Sequence, residues 1–357
     1  MKVTENDVLT ALSGVMDPEL NVSLVKAGMV KDIRVDAGKV RFKIELTTPA
    51  CPLKGKIQKD AEDALRKAGI EAFDIEWGAR VRPAPAGMAT EQLIPGVKNV
   101  VLVGAGKGGV GKSTVATNLA VALQRCGAKV GLLDADFYGP SIPLMTGIRR
   151  QPTSKDGRTI DPMEAHGLKV MSIGFLVEPN QALIWRGPML HGALMQLVRD
   201  VNWGELDYLV LDLPPGTGDV ALSISQNVRA AGAVLVTTPQ DVALADVVRA
   251  KQMFDKVHIP VLGIVENMST FVCPHCEKET QIFHHGGGRR AAELFGVPFL
   301  GEIPLELKVR IGGDEGVPVT AGHPDSREAQ AFMEMAKHIA GRISTVNLTT
   351  VKMPVVS

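Results

Sequence analysis

The chain has 357 residues, 45% apolar and only 4% aromatic, enough for one large domain and one small one around aliphatic cores. Its 39 basic residues balance its 39 acidic ones, which argues against nucleic acid as a partner. There is no signal-peptide core near Met1–Thr10, no run of membrane-span length, and no cysteine framework of the secreted kind among four cysteines that sit far apart except for one pair. The expected setting is therefore the reducing cytoplasm, away from membranes.

Residues 1–82 read as a small α+β domain. Val3–Leu12 has helical spacing, and Asp17-Pro18 is turn-like. Val40, Phe42, Ile44 and Leu46 alternate with Arg41, Lys43 and Glu45, as in a half-buried strand. A second helix is expected from Leu53 to Ala68, ending at Gly69, and a last strand over Phe73–Trp77. Cys51 precedes the second helix, whose Lys54, Lys56 and Lys59 would lower a thiol pKa. It is expected either to handle iron or sulfur or to be a buried structural thiol. Residues 83–96, with Pro83-Ala84-Pro85 and Pro95-Gly96, read as a linker.

Residues 97–345 read as an α/β domain. Apolar segments at Val100–Val103, Val130–Leu133, Tyr208–Leu213, Ala233–Thr237, Val261–Val265 and Pro298–Gly301 alternate with helical stretches. That order predicts a mostly parallel sheet with helices on both faces, binding ligands at the carboxyl ends of its strands. After the first strand comes Gly106-Lys107-Gly108-Gly109-Val110-Gly111-Lys112-Ser113-Thr114, then a helical segment. Strand, glycine loop and helix make a P-loop. Its N–H groups would cradle phosphate, Lys112 would reach the β- and γ-phosphates, and Ser113 would hold Mg²⁺.

Asp134 and Asp136 follow the second strand. Two carboxylates there can divide the work between a metal shell and an attacking water, or simply form a turn. Asp212 closes Tyr-Leu-Val-Leu-Asp, the form of an acid that holds Mg²⁺, and Gly216 beyond it could sense a γ-phosphate through its N–H. Asn267 ends a strand, and its amide suits the edge of adenine. Cys273-Pro274-His275-Cys276 places two thiolates at metal-binding spacing. A closed thiolate site wants four ligands, which two chains on a symmetry axis would supply. Zinc or a redox dithiol would use the same pair. Cys126 reads as a small buried hydrophobe and His284-His285 as loop residues, while 346–357 reads as a loose tail.

These motifs together resemble the Mrp/ApbC family of iron–sulfur cluster carrier ATPases, within the ParA/MinD superfamily with a deviant Walker A loop. The match rests on Lys107 in the P-loop, Asp-Ala-Asp-Phe-Tyr-Gly-Pro-Ser at 134–141, Asp-Leu-Pro-Pro-Gly-Thr-Gly-Asp at 212–219, Glu-Asn-Met-Ser at 266–269 and the cysteine pair. The first unit resembles a metal–sulfur cluster assembly domain through Asp17-Pro18-Glu19-Leu20 and Thr47–Leu53. The resemblance implies a homodimer in which Lys107 reaches the partner's phosphates. It implies that Asp136 positions water, that Asp134 and Asp212 serve the Mg²⁺ region, and that Asn267 selects ATP. It also implies a [4Fe–4S] cluster on Cys273 and Cys276, received from assembly scaffolds and passed to apo iron–sulfur client proteins. A MinD/ParA-like spatial regulator or a cluster-based electron donor are the alternatives. The regulator leaves the cysteines without a use.

Overall fold

The computed structural model describes residues 3–36, 39–85, 93–176, 187–216, 218–276 and 278–350. The chain divides into two compact units, Met1–Arg82 with the chain from Ala340 onward, and Pro83–Ile339.

In the small unit, α1 (Glu5–Leu12) starts at Thr4, whose side chain and that of Asp7 cap each other's backbone N–H groups. A short hairpin, β1 (Met16–Asp17) and β2 (Val22–Ser23), precedes β3 (Val30–Asp36) and β4 (Lys39–Leu46). Then come α2 (Lys54–Lys67) and β5 (Phe73–Ala79). The sheet order is β3-β4-β5. Strand β3 lacks clean alternation because its pairing with β4 shifts between Lys31 and Arg34. Val40, Phe42, Ile44 and Leu46 point into a core that also holds Ile57, Ala61 and Leu65 of α2, so the period-2 and period-3.6 faces meet there.

The large unit opens with β6 (Val97–Gly104), α3 (Lys112–Arg125), β7 (Val130–Asp134) and α4 (Ile142–Met145). Strands β8 (Met163–Ala165) and β9 (Leu168–Ser172) follow, then α5 (Gly187–Arg199), β10 (Leu206–Asp212), α6 (Gly218–Asn227), β11 (Ala230–Thr237) and α7 (Asp241–Lys256). The last part holds β12 (Val261–Val272), β13 (Glu279–Thr280), α8 (Gly287–Phe295), β14 (Phe299–Leu305), α9 (Leu307–Glu315), α10 (Val319–Gly322) and α11 (Arg327–Thr350).

Among the described residues, nine strands form one sheet in the order β13-β12-β11-β6-β10-β7-β9-β8, with β14 also on β12. Only the β8–β9 and β12–β13 pairs are antiparallel. The mostly parallel sheet expected from the alternating segments is thus present. From β6 the chain crosses towards β7, and from β10 it crosses the other way to β11. Right-handed connections put the intervening helices on opposite faces and open a crevice where the directions diverge, beyond β6. Fully buried Val101, Leu102, Val103, Leu132, Leu133, Leu209, Val210 and Leu211 make the sheet's interior, as continuous apolar runs require of strands covered on both sides.

Two expectations about connecting chain change. Helix α11 runs on to Thr350, so residues 346–350, read as loose tail, are helical. Ile343, Ser344 and Asn347 on it are buried, and the Asn347 amide donates to the Arg82 carbonyl at 3.1 Å. A polar residue buried with a partner anchors a turn that hydropathy alone leaves unmarked. Residues 351–357 lie outside the described residues. Within the expected linker, Ala84 is buried and its N–H donates to Lys98 O at 2.9 Å, while 86–92 lie outside the described residues. No helix among the described residues is long and apolar enough to cross a membrane.

Candidate functional site: a phosphate loop and a thiolate hairpin

The loop after β6 folds as its glycines allow. Gly109 and Gly111 take φ of +80° and +79°, values that an L side chain resists. A Cβ on Gly111 would run into the Asn267 amide, and one on Gly106 into the Asp246 backbone of α7. Lys107, Gly108, Gly109, Gly111, Lys112, Ser113, Thr114, Asp136 and Pro215 line a cleft of about 220 Å³. Val110 is buried beneath it. The N-terminus of α3 faces the cleft with free N–H groups, the arrangement that binds phosphate.

Lys112 is only 7% exposed and is held by acids. Its Nζ lies 2.5 Å from Asp212 Oδ1, 3.8 Å from Asp136 Oδ2 and 3.3 Å from Ser113 Oγ. Asp212 is fully buried, and burial pushes its carboxyl up against the pull of Lys112 and of the Ser113 hydroxyl. Its other oxygen, Oδ2, has no hydrogen-bond partner. An orphaned carboxylate oxygen beside a hydroxyl, facing a phosphate loop, fits a hard divalent cation. Ser113 and Asp212 are therefore the residues suited to Mg²⁺.

Asp134 sits one strand further away and is differently engaged. Its Oδ1 accepts from Asp136 N–H at 3.1 Å, and its Oδ2 from Ile142 N–H at 3.2 Å and Ser172 Oγ at 3.0 Å. Burial and the charge of Asp212 push its pKa up to about 7. With three protein donors on two oxygens, it is an organiser of the loop from Asp136 to Ile142 more than an open metal ligand. Asp136 itself reaches the cleft. Lys107 lines the cleft and has no hydrogen bond or ion pair among the described residues.

Asn267 is drawn under the loop instead of to its rim. It is 5% exposed, and its Nδ2 donates to Val110 O at 2.9 Å. It is not among the residues lining the cleft. Gly216 points its N–H at Ala105 O, 3.5 Å away.

The cysteine pair lies at the far end of the strand that carries Asn267. β12 ends at Val272, pairs with Glu279 of β13, and turns through Cys273–Cys276, with Cys273 N–H donating to Lys278 O at 3.1 Å. Cys276 is exposed and Cys273 half-buried. The N–H groups of His275 and Cys276, with the Cys276 side chain, hold the Cys273 thiol below its ordinary range, so it is prepared to act as a thiolate. Among the described residues no group of three or more His, Cys, Asp or Glu side chains could hold a metal. Among the described residues, the hairpin thus offers two thiolates and no completing ligand.

Cys51 is the buried thiol of its two expected forms, and its pKa moves opposite to the lowering expected from the α2 lysines. It is a core residue at 9% exposure, and burial lifts its pKa to about 11, with Glu19 and Asp17 adding to the rise. The three lysines of α2 are too exposed to offset this. Burial also raises Cys126. His285 is a loop residue as expected, and its Nε2 meets Glu302 at 2.8 Å.

Two residues escaped the sequence reading. Glu266 is fully buried and accepts from Gly286 N–H at 3.0 Å and Gly288 N–H at 2.6 Å, closing the start of α8. Its signal was an acid ending an apolar strand run. Ser172 ends β9, a strand the apolar spacing did not reveal, and its signal was a small polar residue after Val170-Met171.

Residues 96–340 match the family described as NUBPL iron-transfer P-loop NTPase, and residues 5–74 match that of the iron-sulfur cluster assembly protein. The iron-sulfur cluster carrier protein of Deinococcus radiodurans is 52% identical over 344 residues, covering 96% of each chain. A nucleotide-binding protein of Archaeoglobus fulgidus, solved with ADP, is 41% identical with a TM-score of 0.55, over 62% of this chain and 87% of that one. The cell division ATPase MinD of Pyrococcus furiosus shares the fold, with a TM-score of 0.51 at 23% identity over 68% of this chain and 98% of its own. The phosphate loop, the orphaned acid beside it and the thiolate hairpin thus stand in a chain that belongs to the NUBPL iron-transfer P-loop NTPase family.

Proposed function

We propose that this protein is an ATP-dependent carrier that holds an iron–sulfur cluster on the Cys273 and Cys276 thiolates of two subunits and hands it to apo-proteins. The observation that carries the reading is one strand. β12 contacts the phosphate loop through Asn267 and, six residues on, delivers Cys273 into a two-thiolate hairpin with no further ligand among the described residues. A second chain supplies the missing pair and makes four, the number a cubane needs.

In the nucleotide cleft, the N–H groups of 107–113 and the start of α3 bind the phosphates. Lys112 places its charge on the β- and γ-oxygens, exchanging Asp212 for phosphate as its partner. Ser113 and Asp212 Oδ2 would hold Mg²⁺, which would supply positive charge against the phosphate oxygens. Asp136, at the cleft wall, orients the attacking water and accepts its proton. Lys107 extends from the cleft to the phosphates of the second subunit. The nucleotide state alters the packing between subunits, and with it access to the cluster.

The test is anaerobic reconstitution followed by mixing with an apo-aconitase-type acceptor, with and without ATP. A carrier restores acceptor activity and loses its own iron in step, at a rate that ATP changes. An electron donor keeps its iron and restores nothing. Stoichiometric zinc with no iron uptake under reducing conditions contradicts the carrier reading outright.

A further inference from the structure

Three adjacent parallel strands end in polar residues at the same register. Asp212 of β10 stands opposite Asp134 of β7, and Asp134 opposite Ser172 of β9. All three are fully buried. Asp212 faces the phosphate loop, so the row runs inward from the nucleotide cleft. Buried polar side chains persist where each has a partner and a geometry to fix.

Ser172 has both. Its Oγ accepts from Gly174 N–H at 3.0 Å, capping the short 3₁₀ turn Ile173–Phe175. Its own hydroxyl proton is then committed in one direction, to Asp134 Oδ2 at 3.0 Å. Asp134 in turn holds both ends of one loop, Asp136 N–H and Ile142 N–H. Gly174 backs the same loop. A Cβ there would lie 3.1 Å from Pro140 Cβ and 3.2 Å from Pro143 Cγ. The serine thus fixes the carboxylate that fixes the loop on which Asp136 rides.

We infer that Ser172 is a positioning residue for ATP hydrolysis, acting through Asp134 to set the loop that presents Asp136. The inference deepens the ATPase reading above and rests on it. Ser172 lies off the phosphate cleft, so its loss should spare nucleotide binding and slow the chemical step.

Steady-state ATP hydrolysis and binding of a fluorescent ADP analogue test this in wild type, Ser172→Ala, Ser172→Thr, Asp134→Asn and the Ser172→Ala/Asp134→Asn pair. Ser172→Ala should lower kcat about ten-fold, because a slight misplacement of a reacting group is costly. KM for ATP and analogue affinity should stay within about two-fold. Ser172→Thr, which keeps the hydroxyl, should recover most of the rate. Adding Ser172→Ala to Asp134→Asn should lower kcat no further, because the two act as one chain. That cycle decides the matter even where the threonine is too large for the site. Wild-type kcat in Ser172→Ala overturns the inference alone. So does a joint fall of kcat and analogue affinity, or a multiplicative loss in the double variant. A wild-type protein without ATP hydrolysis overturns the ATPase reading and this inference with it.

Discussion

Cys51 and Cys273 both stand at the edge of regular structure, yet their surroundings drive them in opposite directions. Cys51 is sealed in the small unit's core, and burial moves its pKa to about 11. Cys273 is close to water and receives N–H groups, which hold its thiol low. The metal-free, reduced protein treated with iodoacetamide near neutral pH should therefore label first at Cys273 and Cys276. Cys51 should label only as the chain unfolds, and peptide mass mapping reads the order. Early labelling of Cys51 in folded protein would contradict its core position. The sign for stability follows. Folded Cys51 ionises near 11 and the unfolded thiol near 9.0, so its contribution is intact below pH 9 and is lost as pH rises through 11. The glycine loop after β6 and the cysteine hairpin after β12 were legible from spacing, because loop glycines and paired cysteines are local. The state of Cys51 was not, since burial is set by residues distant in sequence, such as Val8 and Leu12 of the same core.

Among the elements, β12 does the most. It buries Glu266, places Asn267 under the phosphate loop, carries Met268 at φ +58° where its pairing with β14 slips, and ends at the thiolate hairpin. A left-handed non-glycine residue beside a ligand loop is the kind of strain that functional sites hold. The run Gly286–Gly288 has its reason here too, since a Cβ at Gly287 would strike the Pro239 backbone and one at Gly288 would press on Glu266. Glu266→Ala leaves two N–H groups at the start of α8 without an acceptor and should cost about 1–3 kcal/mol, read as a lower urea midpoint at unchanged m-value. Glu266→Gln, which keeps one acceptor oxygen, should cost less. An unshifted midpoint in Glu266→Ala would show that the cap carries no weight. The long apolar strands β6, β7, β10 and β11 were plain in the sequence. β3 and β9 were not, the first because a bulge breaks its alternation, the second because five residues with one lysine make too short a pattern.

At the scale of the whole molecule, the proposed carrier needs two copies of the chain. In the proposed dimer, Lys107, which has no partner among the described residues, reaches the second subunit, and a second pair of thiolates joins Cys273 and Cys276. Complementation tests the first. Lys107→Ala and Asp136→Ala chains should each be inactive alone. In verified heterodimers, one site should regain hydrolysis, because it keeps its own Asp136 and receives an intact Lys107. No recovery would place Lys107 within its own site. In the proposed carrier, two hairpins share one cluster. Iron and sulfide analysis of anaerobically reconstituted protein measures it directly. Wild type should hold roughly four irons per dimer, and Cys273→Ala or Cys276→Ala almost none, because each change removes two of four ligands from a symmetric site. Both variants should still bind nucleotide, as the cleft uses other residues. Full iron content in Cys273→Ala, with its thiolate-to-iron absorption intact, would contradict the bridging cluster.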